Sequence, residues 1–438
     1  MSSPILNSVA AARREVAVVG AGAMGLAAAY YAAKAGHSVT VLEHDRVPGG
    51  MAAHFDFAGI SLERFYHFVC KADQTTFELM RELGIGERMR WTPTSMGYFI
   101  DGRLNPWGDP ISLLRLPGLN LIDKIRYGLL AFTSTKRSDW RHLDTLKAGQ
   151  WITSWVGQRG YDKLWRPLLH LKFFEYADNI SAAWIWTRLK RVGTSRRSLF
   201  QEELGYIDGG SETLVRALCD AITRMGGQIQ LGAAVQEITV SGGKVTGVRT
   251  SKGTVAADRV ICTVPIPYVS RLVPTLPPEW KRKYDEIPNI GVVCVIFRLR
   301  HSVTPHFWVN ISDPRIDIPG IIEFSRLRPL PDTVVYVPYY MPRTHPKWGR
   351  DDRFFSDEAF GYLQILNPAL SRDDVVATRV GRLQHAQPVC APGFLDKIPD
   401  VITPIDGLQI ADTCYYYPED RGISESARLA GIMAGRID

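Results

Sequence analysis

The residues best suited to chemistry begin with three glycines, Gly20, Gly22 and Gly25, in the spacing GxGxxG. The run Glu15 to Val19 before them reads as a buried strand, Met24 to Ala35 as an alanine-rich helix closed by Gly36, and Ser38 to Leu42 as a second strand. In that setting Gly20 permits a tight turn, Gly22 lets backbone approach a diphosphate, and Gly25 lets helix and strand pack closely. Ala23 and Met24 open the helix, whose positive N-terminal end attracts the anion. Glu43, about twenty residues past the turn, ends the second strand where a carboxylate accepts hydrogen bonds from a ribose diol, with His44 beside it. The chemistry this predicts is the holding of an adenine dinucleotide, and the glycines alone do not say which one.

Side chains able to move protons or hold anions lie further along. His67, in Glu63-Arg64-Phe65-Tyr66-His67-Phe68, can exchange a proton near neutral pH, and a histidine bonded within the core suits the same position. Lys172, Glu419, Asp420 and Arg421 are candidates for binding or charge stabilisation. Among these Arg421 is the first choice for an anion or substrate contact, through its forked guanidinium next to a helix opening at Gly422, Ile423 and Ser424. His67, Lys172 and Arg421 form the candidate catalytic set. The six cysteines show neither a CxxC pair nor a paired histidine, so no metal site and no disulfide framework is expected, and a reducing cytoplasm is the simplest compartment.

The stretch after Glu43 narrows the cofactor. Arg46-Val47-Pro48-Gly49-Gly50-Met51-Ala52 resembles the ExxxRxGG continuation of the FAD-dependent amine oxidase, protoporphyrinogen oxidase and phytoene desaturase superfamily. The resemblance implies FAD, with Arg46, Gly49, Gly50, Met51 and Ala52 following its diphosphate and ribityl chain. Leu204 to Leu214, with Gly209 and Gly210, resembles the second glycine pair of that superfamily, and Val235 matches the position whose backbone meets the adenine. Ala257 to Pro265, which includes Thr263, is similar to the strand that returns the chain to the nucleotide domain. Gly407 to Asp412 looks like its final strand, whose acid bonds the ribityl or pyrophosphate region, with Ala411 where glycine is commoner. The helix at Gly422 to Ser424 then implies where the isoalloxazine lies, since a helix N-terminus stabilises negative charge on a reduced flavin. No cysteine sits in a recognisable flavinylation motif, so the FAD is expected to be non-covalent.

The chain also departs from the pattern. Ile287 to Cys294 aligns with the amine oxidase segment that carries a lysine near flavin N5, and Cys294 stands at the lysine position. Tyr415, Tyr416 and Tyr417 replace the usual C-terminal aromatic pattern, so ordinary amine oxidation is not expected. The expected reaction is hydride transfer from a C–H or C–N bond of an apolar or lipid-linked substrate to the flavin. Arg64 to His67 and Tyr417 to Gly422 also resemble UDP-galactopyranose mutase, which leaves a reduced-flavin mutase open, and a noncatalytic flavin-binding partner protein is a further alternative.

The elements that must position these residues follow. An α/β Rossmann-like FAD-binding domain is expected from residues 15–95, 200–270 and 400–438, with an interleaved α+β substrate domain and helical cap from 96–199 and 271–399. Cap helices are predicted at Leu121 to Phe132, Ala148 to Gln158 and Ile180 to Lys190, and substrate-domain strands at Pro288 to Leu299, Gly320 to Ser325 and Val334 to Tyr340. A composition 45% hydrophobic and 22% charged suits a globular enzyme. The net charge of +7 comes without a Lys/Arg block or nucleic-acid motif, which excludes nucleic acid as a partner. Val16 to Ala33 carries no charge, yet its glycines mark a strand-turn-helix rather than a membrane span. Basic residues beside Trp and Leu in the insert suit a cap over an apolar pocket, and equally a surface resting on the inner face of the membrane.

Overall fold

The computed structural model of the protein describes residues 13–437. Strand β1 (Glu15–Val19), helix α1 (Ala23–Lys34) and strand β2 (Ser38–Leu42) form the expected strand-turn-helix-strand unit. β1 lies at the centre of a five-stranded sheet ordered Gln228–Gln230, β2, β1, Arg259–Cys262, Leu408–Ile410, and every pair in it is parallel. Helices cover such a sheet on both faces, which is why β1 reads as an unbroken apolar run. α1 is buried along most of its length. Its alanines let the helices Ser211–Arg224 and Ile423–Ala434 approach it closely.

Four distant stretches of chain thus build one nucleotide sheet. A small antiparallel sheet, Val235–Ser241, Lys244–Thr250 and Gly253–Ala256, leaves it after Gln230. Its first hairpin turns at Gly242 and Gly243, both with positive φ, as the Ser-Gly-Gly-Lys sequence predicts.

The second body is a seven-stranded mixed sheet ordered Val375–Pro388, Asn289–Leu299, Thr333–Met341, Gly320–Glu323, Trp308–Ser312, Met96–Ile100, Arg103–Trp107. Its last two strands differ from the reading of residue 96 onward as helical insert. They are a hairpin closed by Asp101 and Gly102, both left-handed, and the Asp-Gly pair between alternating side chains is its signal. The helical cap begins beyond it, with helices Pro110–Arg115, Leu121–Lys136, Ala148–Gly160, Arg166–Phe173 and Ala182–Thr194. Asn120 and Asp123 close a capping box at the start of the longest. The last starts at Ser181, whose Oγ accepts from the Ala183 amide.

Candidate functional site

The first glycine turn separates packing from access. Gly20 has φ +100, and a Cβ there would meet Thr263 Oγ1 at 2.9 Å. A Cβ on Gly25 would overlap the Gly20 carbonyl oxygen. Gly22 has an ordinary φ of −70, and a Cβ on it would meet nothing within 4 Å. It is also the N-cap residue of α1, and the amides of that helix's first turn, at Ala23 and Met24, have no side-chain cap.

A second turn closes on the first. The Gly49 amide donates to the Ala21 carbonyl at 2.7 Å, and Gly49 and Gly50 are left-handed at φ +112 and +58. A Cβ on left-handed Gly50 would stand 3.1 Å from Gly22 Cα, so glycine is favoured at Gly50 where the backbones touch. Met51 and Ala52 continue from it as a 3₁₀ turn. Ser211 Oγ donates to the Ala52 carbonyl at 2.9 Å, which fixes the turn from below.

Glu43 is 5% exposed at the end of β2. Its carboxylate accepts from the amides of Ala21 at 2.7 Å and Asp45 at 2.8 Å, with His44 Nδ1 at 2.6 Å. Burial pushes this carboxyl up, but the bonds from His44, Asp45 and Ala21 outweigh it and hold it below its ordinary value. The His44 ring is otherwise exposed and Arg46 points to solvent. The arginine turned inward here is Arg64, paired with Asp45, its Nε buried without a partner. The amides of Gly232 and Ala233 donate to the Asp45 and Glu43 carbonyls, which brings Val235 to this end of the crevice.

Thr263 lies behind the turn, its hydroxyl donating to the Val19 carbonyl at 2.9 Å. Asp412 is buried and caps its neighbours, accepting from the amides of Cys414 at 2.8 Å and Ile266 at 2.9 Å. Beneath the second glycine pair is a buried group that sequence reasoning passed over. Glu63 pairs with Arg328 at 3.0 Å and lies 3.6 Å from His54. A Cβ on left-handed Gly210 would meet all three residues at 2.6 Å, so glycine there is required by these polar side chains.

At the other end, the helix Ile423–Ala434 starts at Gly422 with no side-chain cap, leaving the Ile423 and Ser424 amides unpaired by any cap. Just before it Asp420 lies 2.7 Å from Arg188 Nη2 and 3.7 Å from Arg421 Nε. Arg421 donates to the Ala386 carbonyl, and Arg188 lies over Trp184 while donating to that residue's carbonyl. The Lys172 ammonium faces rings, 4.8 Å from the centroid of Tyr340 and 5.0 Å from that of Trp184. Burial lowers Lys172 to about 7, opposed by Asp420 and reinforced by Arg188 and Arg421. Burial alone would raise Asp420, but the cations Arg188, Arg421 and Lys172 hold it well below the usual carboxylate range.

Lys172 and Arg421 therefore belong to one cluster of charges around Asp420. His67 lies on the neighbouring loop, its Nδ1 unpartnered and its proton affinity lowered by burial against the pull of Glu63. Beside it Tyr66 packs edge-on to Trp308 and Tyr336 at 5.6 and 5.7 Å. Cys294 is buried mid-strand between Pro338 and Gly381, and burial pushes its thiol up to about 12, so it is inert. The lysine of this pocket comes from the cap. Arg188 was missed because a basic residue on an amphipathic helix carries no distinguishing signal.

The family model of flavin containing amine oxidoreductases matches residues 25–354, most of the chain. A 15-cis-phytoene desaturase from an Oncidium hybrid cultivar is 27% identical over 307 residues, which cover 64% of this chain and 52% of that protein. A zeta-carotene desaturase from Arabidopsis thaliana is 27% identical over 325 residues, covering 66% and 57%. The chain spans about half the length of these curated relatives. Among solved structures, a provisionally named protoporphyrinogen oxidase from Exiguobacterium sp. superposes with a TM-score of 0.76 at 20% identity, covering 97% of this chain and 99% of that one. A putrescine oxidase bound to putrescine gives 0.72 at 17% identity, covering 97% and 99%. At such identities the likeness is one of fold.

Proposed function

We propose that this chain, which belongs to the flavin containing amine oxidoreductase family, is an FAD-dependent enzyme that oxidises a C–H or C–N bond of a largely apolar substrate. The residues present fit FAD. The uncapped start of α1 and the open face of Gly22 suit a diphosphate, the carboxylate of Glu43 a ribose, and the uncapped start of the helix at Ile423 an electron-rich ring. When bound, FAD would supply the two-electron acceptor for this oxidation.

The observation that carries the reading is the convergence of Lys172, Asp420 and Arg421 with the uncapped helix among the rings of Tyr66, Trp184 and Tyr340. The aromatic walls exclude water and orient an apolar body. Loss of hydride leaves the substrate with a proton to shed, and a lysine that titrates near 7 is partly neutral and able to receive it. Asp420 and Arg188 hold the basic side of the pocket in place. His67, kept neutral by burial, is a second group within reach of Arg421's field.

On this reading residues 15–95, 200–270 and 400–438 carry FAD and the remainder carries the substrate. Ile111, Leu114, Leu121, Ile122, Ile125, Leu129 and Phe132 form an exposed apolar ridge on two cap helices, with Arg115, Lys124 and Lys136 among them. That pattern supports peripheral contact with an anionic membrane face from the cytoplasm. No helix among the described residues is long and apolar enough to cross a membrane.

Anaerobic absorbance tests the reaction type. Bleaching of the flavin by a polyunsaturated or amine-bearing apolar candidate, without other reductant, is expected. Turnover only after prereduction would replace oxidation with mutase chemistry.

A further inference from the structure

We propose that the pocket beside the C-terminal helix contains an oxyanion subsite, built from Arg188 and Arg421, which holds a carboxylate or phosphate on the otherwise apolar substrate. This rests on the pocket being the substrate site, and it adds a charged end to that substrate.

The argument starts from a count of charges. Four cations converge here: Lys172 from the helix Arg166–Phe173, Arg188 and Arg191 from the helix Ala182–Thr194, and Arg421 from the loop before the last helix. The acids facing them are Asp73, Glu419 and Asp420. Arg191 and Asp73 satisfy one another at 2.8 Å. Burial pushes the Glu419 carboxyl up, toward its neutral form. Asp420 is then a single carboxylate shared by Arg188 and Arg421, with Lys172 left against aromatic rings.

The donors point the same way. Nε of Arg188 and Nε of Arg421 are buried and make no hydrogen bond among the described residues, the second only facing Asp420 at 3.7 Å. A guanidinium N–H taken from water and left without an acceptor is costly, and a substrate of pure hydrocarbon would complete that dehydration without repaying it. An oxyanion supplies what is lacking, several acceptor lone pairs and a negative charge, between two forked donors. Trp184, touched by both Lys172 and Arg188, keeps the two cap cations on the same side of the pocket.

Full-length, FAD-loaded protein titrated with octanoate, octyl phosphate and octanamide by calorimetry gives the test, since the three share one tail and differ in the head. At least one anion is expected to bind tighter than the amide by about tenfold or more. Octanoate as the stronger ligand identifies a carboxylate, octyl phosphate a phosphate. Arg188→Gln and Arg421→Gln should each remove most of that preference, with octanamide affinity and FAD content held. Should Arg188→Gln fail to fold, Arg188→Lys should retain a weakened preference. Equal binding of anion and amide by the oxidised wild type overturns the subsite and leaves the cations to the flavin ring; a preference that survives both substitutions overturns the residue assignment. An anion preference in protein that never takes up FAD would support the subsite while removing the flavin reading.

Discussion

A single methyl group separates two kinds of glycine in the first turn. At Gly25 it would drive into the Gly20 carbonyl, so Gly25→Ala should destabilise the fold itself, by about 1–3 kcal/mol or more in thermal or urea unfolding. At Gly22 the backbone is ordinary and the space open, so Gly22→Ala should leave the melting temperature nearly unchanged. Its FAD-to-protein ratio should nonetheless fall several-fold. Equal losses in both measurements would make Gly22 a packing residue. Lys172 gives a pH prediction: because its neutral amine is the base, flavin reduction under anaerobic conditions should rise as pH passes about 7, and Lys172→Met should be slower and flat there. The same depressed value makes the unfolded chain bind the proton more tightly between about 7 and 10.5, so this residue's contribution to stability grows with pH across that range. The glycines and Glu43 were legible because backbone geometry leaves few residue types allowed at those positions. Arg188 was not, because which basic side chain turns inward is decided by tertiary packing.

Elements carry a different part of the account. Ile122 and Ile125 are 65% and 53% exposed on the face of the helix Leu121–Lys136. Their replacement by glutamate, Ile122→Glu with Ile125→Glu, should therefore cost little stability. It should sharply reduce cosedimentation with vesicles containing anionic lipid, where wild type binds and salt weakens it. Unchanged binding, or no binding by wild type, would remove the membrane contact. The cap helices were readable from their apolar periodicity, and the capping box of Asn120 with Asp123 fixes the start of the longest. The hairpin Met96–Trp107 was not read, although Asp101-Gly102 announces it, because its partner strand Trp308–Ser312 lies two hundred residues on and nothing local names it.

Across the whole molecule, the nucleotide sheet draws on segments that begin at Glu15 and end at Ile410, and the helix that follows returns to pack on α1. The crevice is thus completed by the last residues of the chain. Loss of the strand Leu408–Ile410 and the helix after it should abolish FAD uptake rather than merely weaken it, as read by flavin content of whatever protein remains folded. That these distant strands return to one body was legible through resemblance to a known family; apolar periodicity gave the strands and not their neighbours. The proposed substrate pocket was the least legible, since its cations, rings and single acid come from five separate stretches of chain whose meeting depends on tertiary packing.

The central claim is that the crevice between the two glycine turns holds FAD. Purified protein, denatured and its released small molecules weighed by mass spectrometry, tests this most directly. The account predicts FAD, stoichiometric with the chain and wholly released without covalent attachment. A colourless protein that takes up no FAD from solution, or one that releases a different nucleotide from that crevice, would contradict it.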